Sequence, residues 1–327
     1  MSDKRGGGLT RRDFLRGTGL GTLGWGLALA MGCAREGDGA PPQPEAKQAA
    51  QKRTKVVIAR DRAALQPDGR ADAGVVKALL EKALCELTGK GSLSEALGEF
   101  VRPTDRVGVK QNVMMTPVHK EVLYAIWEGL KDLGVPAENV ITWDRRQGIR
   151  GYWGGKSVAI GFDGDGVATV CSQFADVLIN VPGLKSHWLS GIGVCLKNWA
   201  GALSGLDVRD KNTRWPIHQR SCQDIGMIQA HPAIKSKARL CIVDALRPLC
   251  HGGPQVNPQY LWDYCGIVVG TDAVAVDRVC IEIIQQRRNE LRGEPWPISP
   301  PPKHVAVAAE KYGLGVADLD SIEVVNV

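Results

Sequence analysis

From Thr54 onward, short continuous apolar runs alternate with segments of helical period, and no other feature of the sequence limits the fold as strongly. Residues 55–59, 106–113, 140–143, 176–181, 238–245 and 266–269 read as strands, with 167–171 a shorter one and 322–327 a last edge strand. Residues 73–87 place Val75, Val76, Leu79, Leu80, Ala83, Leu84 and Leu87 on one helical face. Residues 120–133 are a second helix, closed by Gly134 and Pro136, and 191–203, 272–292 and 303–312 are further helices. Strands apolar along their whole length are buried on both faces. Interleaved with helices, they predict an α/β fold: a mostly parallel, doubly wound sheet covered by helices on both faces. Residues 54–327 are expected to form this one domain. Stretches 205–223, 252–258 and 294–302 look like surface excursions.

The N-terminus reads as an address rather than as part of that domain. Arg11 and Arg12, followed by Phe14 and Leu15, precede an uncharged, Gly-rich apolar run over residues 17–32. That run is shorter than the ~20 residues a membrane span needs. A charged segment before a short apolar one is the pattern of a signal peptide, assigned here to residues 1–32. The paired arginines resemble the twin-arginine (Tat) export signal, which implies the Tat translocase as a partner and an extracytoplasmic, periplasmic destination. Two ends fit: cleavage after Ala30, or a lipoprotein box ending at Cys33, whose lipidation would anchor the chain to a membrane. Residues 33–53, rich in Pro, Ala, Gly and Gln, read as a flexible linker.

Charge excludes one class of partner. The formal net charge is +6, and because residues 1–32 hold five basic and two acidic side chains, residues 33–327 keep only +3. Nucleic-acid binding needs a concentrated basic face, and none is legible. Of the nine cysteines, no two are spaced as C-x2-C, which argues against an iron–sulfur cluster or a structural zinc site within this chain. Cys171, Cys241 and Cys280 sit in apolar runs and read as buried hydrophobes. Asp163 to Gly166 reads as a turn, because it lacks calcium-loop spacing.

Open α/β sheets bind ligands beyond the carboxyl ends of their strands, and those ends are polar here. They carry Lys110 and Asn112, then Asp144, Arg145 and Arg146, then Lys185 and His187, then Asp244, then Asp272. Lys185 and His187 are two apart, so both point one way on an extended strand. Gly191 and Gly193 open a helix whose first N–H groups would favour an anion, with Lys197 and Asn198 following. Thr271 is a candidate helix cap. Asp277, in an apolar turn, must pair or hydrogen-bond if buried. Each of these residues alone also reads as a solvated loop or sheet-end side chain. Together they predict one cationic cleft for an anionic small molecule.

Several segments resemble the DUF362 family, a family named for having no assigned function: Val109 to Asn112, Asp176 to His187, Cys195 to Gly201, Ile242 to Ala245, and Gly270 to Asp277. The chain departs from it in carrying Lys185-Ser186-His187 where the family has Lys-Thr-His, and it lacks the ferredoxin-like cysteines of some relatives. A more distant likeness is to nickel-dependent lactate racemase, through His187, the intervening glycines and Lys197. That likeness implies attachment of a nickel pincer nucleotide at Lys197 and ligation of the metal by His187. On these resemblances His187, Lys185 and Lys197 are candidate catalytic residues, in racemase-like or redox chemistry. Lys110, Asn112, Asp144, Arg145, Asn198, Asp244, Asp272 and Asp277 are candidate ligand contacts. The competing expectation is a non-catalytic binding or accessory lipoprotein at the membrane surface.

Overall fold

The computed structural model describes residues 53–204 and 217–327. The signal peptide, Cys33 and all but the last residue of the linker lie outside the described residues, as does most of the 205–223 excursion. Among the described residues, no helix is long and apolar enough to cross a membrane.

One large sheet organises the described chain. Strands β1 (Thr54–Arg60), β2 (Val107–Gln111), β3 (Val140–Asp144), β4 (Gln147–Arg150), β5 (Lys156–Ala159), β6 (Val177–Val181), β9 (Ala238–Leu249), β10 (Gly266–Gly270) and β11 (Ile322–Asn326) run in the order β11-β1-β10-β9-β6-β2-β3-β4-β5. Alternation along β1 sends Val56 and Ile58 into the core on one face, and Val57 and Ala59 into the core on the other. Helices α1 (Ala73–Thr88) and α3 (Lys120–Asp132), with the short α2 (Leu93–Gly98) between them, cover the second face. Helices α7 (Ala273–Arg292) and α8 (His304–Glu310), with the short α5 (Gly226–Ala230) and α6 (Pro232–Lys235), cover the first. Both caps of α1 follow local chemistry. The Asp72 carboxylate accepts from the Gly74 and Val75 N–H groups, and Gly89 ends the helix in the left-handed region.

The sheet is mixed, which corrects the expectation of a mostly parallel one. The centre, β3-β2-β6-β9, is parallel throughout, and β11 runs parallel to β1 at one edge. β10 is antiparallel to β9 and to β1, and β4 and β5 add an antiparallel hairpin at the other edge. The physical reason is that an apolar run reports burial on two faces and not direction. Direction is set by the connections: β3 and β4 are joined by only Arg145 and Arg146, and no α-helix crosses over between β9 and β10. Residues 167–171 are not a strand; 170–174 form one π-helical turn. Residues 191–203 are not a single helix but a two-residue strand β8 (Gly191–Ile192), one turn of helix α4 (Cys195–Asn198), and a 3-10 turn (Trp199–Ala202).

A bend at Pro182 positions the site. The chain leaves β6, turns, and continues as β7 (Gly183–His187), so that both strands run parallel to the twelve-residue β9, Gly183 pairing with Asp244 and Lys185 with Leu249. β7 is thereby carried past the ends of β2 and β3.

Candidate active site: a cationic cleft at the strand ends

The ends of β2, β3 and β7, with α4, enclose a cavity of about 300 Å³. Asn112 follows β2, Asp144 ends β3 and Arg145 follows it, Lys185 and His187 come from β7, and Lys197 and Asn198 from α4; all seven line it.

Its base is a buried ion pair. Lys110 is fully buried, and its Nζ donates to Asp144 Oδ1 at 2.7 Å, to the Gln111 carbonyl at 2.7 Å and to Asn198 Oδ1 at 3.3 Å. Asp144 Oδ2 accepts the Val113 N–H at 3.0 Å. Asn198 Nδ2 donates to the Lys110 carbonyl and to Asn180 Oδ1, and Asn180 Nδ2 donates to the Cys195 carbonyl. Burial pushes the Lys110 ammonium below its ordinary pKa, and Asp144 opposes the shift. Each charge is therefore satisfied within the protein, and the network locks β2, β3, β6 and α4 together. Gly201 packs against it so closely that a Cβ there would overlap Asp144 Oδ1 and lie 2.7 Å from Lys110 Nζ.

The cations that face the cavity have no such partner. Among the described residues, no carboxylate pairs with Lys185, Lys197 or Arg145, and both Asp144 oxygens are taken by Lys110 and the Val113 N–H. Lys185 Nζ donates to neutral oxygens, the Asn112 side chain and the Thr116 carbonyl. Burial pushes it down to about 7; Asp144 opposes the shift, and Lys110 and Lys197 reinforce it. Burial likewise lowers Lys197, whose Nζ lies 3.5 Å from His218 Nε2. Burial and the neighbouring Lys197 push His187 down to about 3 and His218 to about 4, so both imidazoles are neutral. Arg145 occupies the first position of the two-residue β3–β4 turn with φ of 54°, where glycine is favoured. A side chain retained at a conformation of that cost is an observed outlier of the kind that gathers at functional sites.

Four of the candidate ligand contacts do not line the cavity. Lys110 lies beneath it. Asp244 accepts from the His119 backbone N–H and ring Nδ1, both at 2.7 Å, and from the Leu246 N–H. This pairing overrides the burial that opposes the His119 charge and holds His119 above its ordinary pKa. Asp272, not Thr271, caps α7, accepting from Val274 and Ala275 and also from Val316. Asp277 is fully buried and, among the described residues, pairs with no cation. Its carboxylate accepts the Cys195 and Leu196 N–H groups at 2.7 and 3.0 Å. Burial pushes it up to about 7, against the pull of those two bonds. The free N–H groups expected to greet an anion at the start of α4 are thus already occupied, by a carboxylate of the protein itself.

The histidine does not fit the role of nickel ligand. His187 Nδ1 accepts the Leu189 N–H at 3.1 Å, so the neutral ring carries its proton on Nε2. A metal-bound imidazole has the reverse arrangement, one nitrogen on the metal and the other donating a hydrogen bond. Among the described residues, no three His, Cys, Asp or Glu side chains are grouped to hold a metal.

Sequence reasoning singled out seven of the cavity-lining residues and left out Met114, Met115 and Trp188, as well as Thr116 and Asn180 in its supporting network. Nothing local marks these as site residues: Asn180 reads as one polar position in an apolar strand, and the others as an ordinary loop. The pairing across sheet and loop reveals them. A family model described as Domain of unknown function (DUF362) matches residues 166–282, a span that includes Lys185, His187 and Lys197. No curated protein and no solved structure matches the chain.

Proposed function

We propose, for a chain whose residues 166–282 match the DUF362 family model, that the cleft binds a small anionic molecule and exchanges a proton with it through Lys185. The observation behind this reading is the imbalance of the site: Lys185, Lys197 and Arg145 surround a cavity whose only lining carboxylate among the described residues, Asp144, is engaged by Lys110. Clustered cations in a partly dry cavity repel one another until an anion joins them. A lysine that titrates near 7 holds its proton loosely enough to act as an acid or a base. His187, neutral with its proton on Nε2, supplies a hydrogen-bond donor. Racemase-like proton transfer on a hydroxy acid is the class of reaction this arrangement would serve.

Calorimetric titration with acetate, lactate and inorganic phosphate from pH 6 to 9 tests the reading. The sign follows from the lowered lysine. Below about 7 Lys185 is charged before the anion arrives; above it, a proton must be taken up on binding. Affinity is therefore expected to be level below pH 7 and to fall above it, by up to about tenfold per pH unit. Lys185→Met should weaken binding at pH 6.5 by about tenfold or more and flatten the profile. Binding that is independent of pH and unchanged in Lys185→Met would refute it.

The second reading, a non-catalytic binding lipoprotein, rests on the N-terminal segment with Cys33. Turnover of a bound hydroxy acid, such as loss of optical rotation of lactate, separates the two. Both readings share export by the Tat route. With Arg11 and Arg12 changed to lysine, the protein should remain in the cytoplasmic fraction, and unchanged recovery outside it would remove the export assignment.

A further inference from the structure

Where the cavity is lined by cations above its ion-paired base, its mouth is apolar. Met114 and Met115, on the loop after β2, are 40% and 44% exposed, and the adjoining Val113 is 47% exposed. Trp188, directly after β7, is 56% exposed. Met114, Met115 and Trp188 line the same cavity as Lys185 and Lys197. Large apolar side chains gathered at one opening mark a binding surface, whereas scattered ones need no explanation. Methionine adapts its shape to what it covers, and an indole offers a broad rigid face.

The loop holds these side chains outward through polar contacts to the site itself. Asp144 accepts the Val113 N–H, Lys185 donates to the Asn112 side chain and the Thr116 carbonyl, and the Thr116 hydroxyl donates to the Pro254 carbonyl at 2.8 Å. Met115 takes a left-handed φ of 63°, a conformation uncommon for a side chain of its size. The lysine offered to the anion is thus also the anchor of the apolar rim.

We propose that the site takes an amphiphilic anion, its charged head between Lys185 and Lys197 and its alkyl or aryl portion against Met114, Met115 and Trp188. This rests on the anion-binding reading above and adds the apolar half of the ligand. A cavity of about 300 Å³ lies at the small end of ligand pockets, so the ligand is a small molecule whose apolar part extends over the rim.

The full chain titrated with straight-chain carboxylates from acetate to octanoate, with 1-hexanol as the uncharged control, provides the test. Affinity is expected to rise about fourfold per added methylene until the rim is covered, with hexanoate binding at least tenfold tighter than hexanol. Trp188→Ser and the pair Met114→Ser with Met115→Ser alter exposed positions, and they should flatten the chain-length series while leaving acetate binding as it is. Equal affinity for acetate and octanoate would overturn the proposal and leave the anion reading standing. Hexanol binding as tightly as hexanoate would overturn both. Co-sedimentation with phosphatidylcholine vesicles that is lost in Trp188→Ser, without any chain-length dependence, would identify the rim as a membrane-facing patch and so also overturn the proposal.

Discussion

Asp144→Ala is expected to lower stability by about 3–5 kcal/mol, because it leaves the fully buried Lys110 ammonium without its counter-charge. In a domain of this length that is a fall in melting temperature of the order of 10 °C. The loss should depend on pH in one direction. Burial already lowers Lys110, and Asp144 is the group that opposes the shift. A base whose pKa is lowered on folding costs stability while both states are protonated, and the cost is relieved as pH rises from its folded value toward the ordinary lysine value. Without Asp144 the folded value drops further, so from pH 6 to 10 the deficit relative to wild type should shrink as pH rises. Replacing both partners, as Lys110→Met with Asp144→Leu, should recover most of the stability. Thermal melts over that pH range read all three results. A deficit under about 1 kcal/mol at pH 7 would mean that the pair does not carry the structural weight assigned to it.

Gly201→Ala should cost about 3 kcal/mol or more, a large effect for one methyl group. The added Cβ would overlap Asp144 Oδ1 and press on Lys110 Nζ, and neither can retreat. Lys110 is held from three sides, and Asp144 also by the Val113 N–H. The ion pair must separate, and the effect should reach the cleft because Val113 leads into the rim loop. The two substitutions act on one network, so they should not add. In an Asp144→Ala background the Gly201→Ala cost should shrink by about 1–3 kcal/mol, since the obstructing oxygen is gone. Full additivity in the double-mutant cycle would show that Gly201 is constrained by something other than the pair.

The fold was legible in the sequence wherever one element decides its own state. Helix α1 declares itself by its apolar period. β2, β3, β6 and β10 declare themselves as mainly apolar runs, because they are buried on both faces. The hairpin β4–β5 was not legible: it is an edge, largely exposed, with no apolar alternation to mark it. The same limit governed the site. Lys110, Lys185 and Lys197 were recognisable as polar groups at strand and helix ends, but one sits beneath the cavity and two face it. That division depends on which carboxylate reaches which ammonium across 34 residues of chain.

By itself, then, the sequence determined the element types, the two-sided burial of the central strands and the end of the sheet where polar groups collect. Those properties are local, set by apolar period, capping residues and strand ends. Tertiary structure alone decided strand direction, the engagement of Asp277 with the start of α4, and the pairing of Asp244 with His119. Among the described residues, it also left Lys185 and Lys197 without a carboxylate partner, beside the exposed Met114, Met115 and Trp188. The physical reason is that a charge's partner and its loss of solvent depend on distance in space between segments far apart in the chain, and no local pattern encodes that distance.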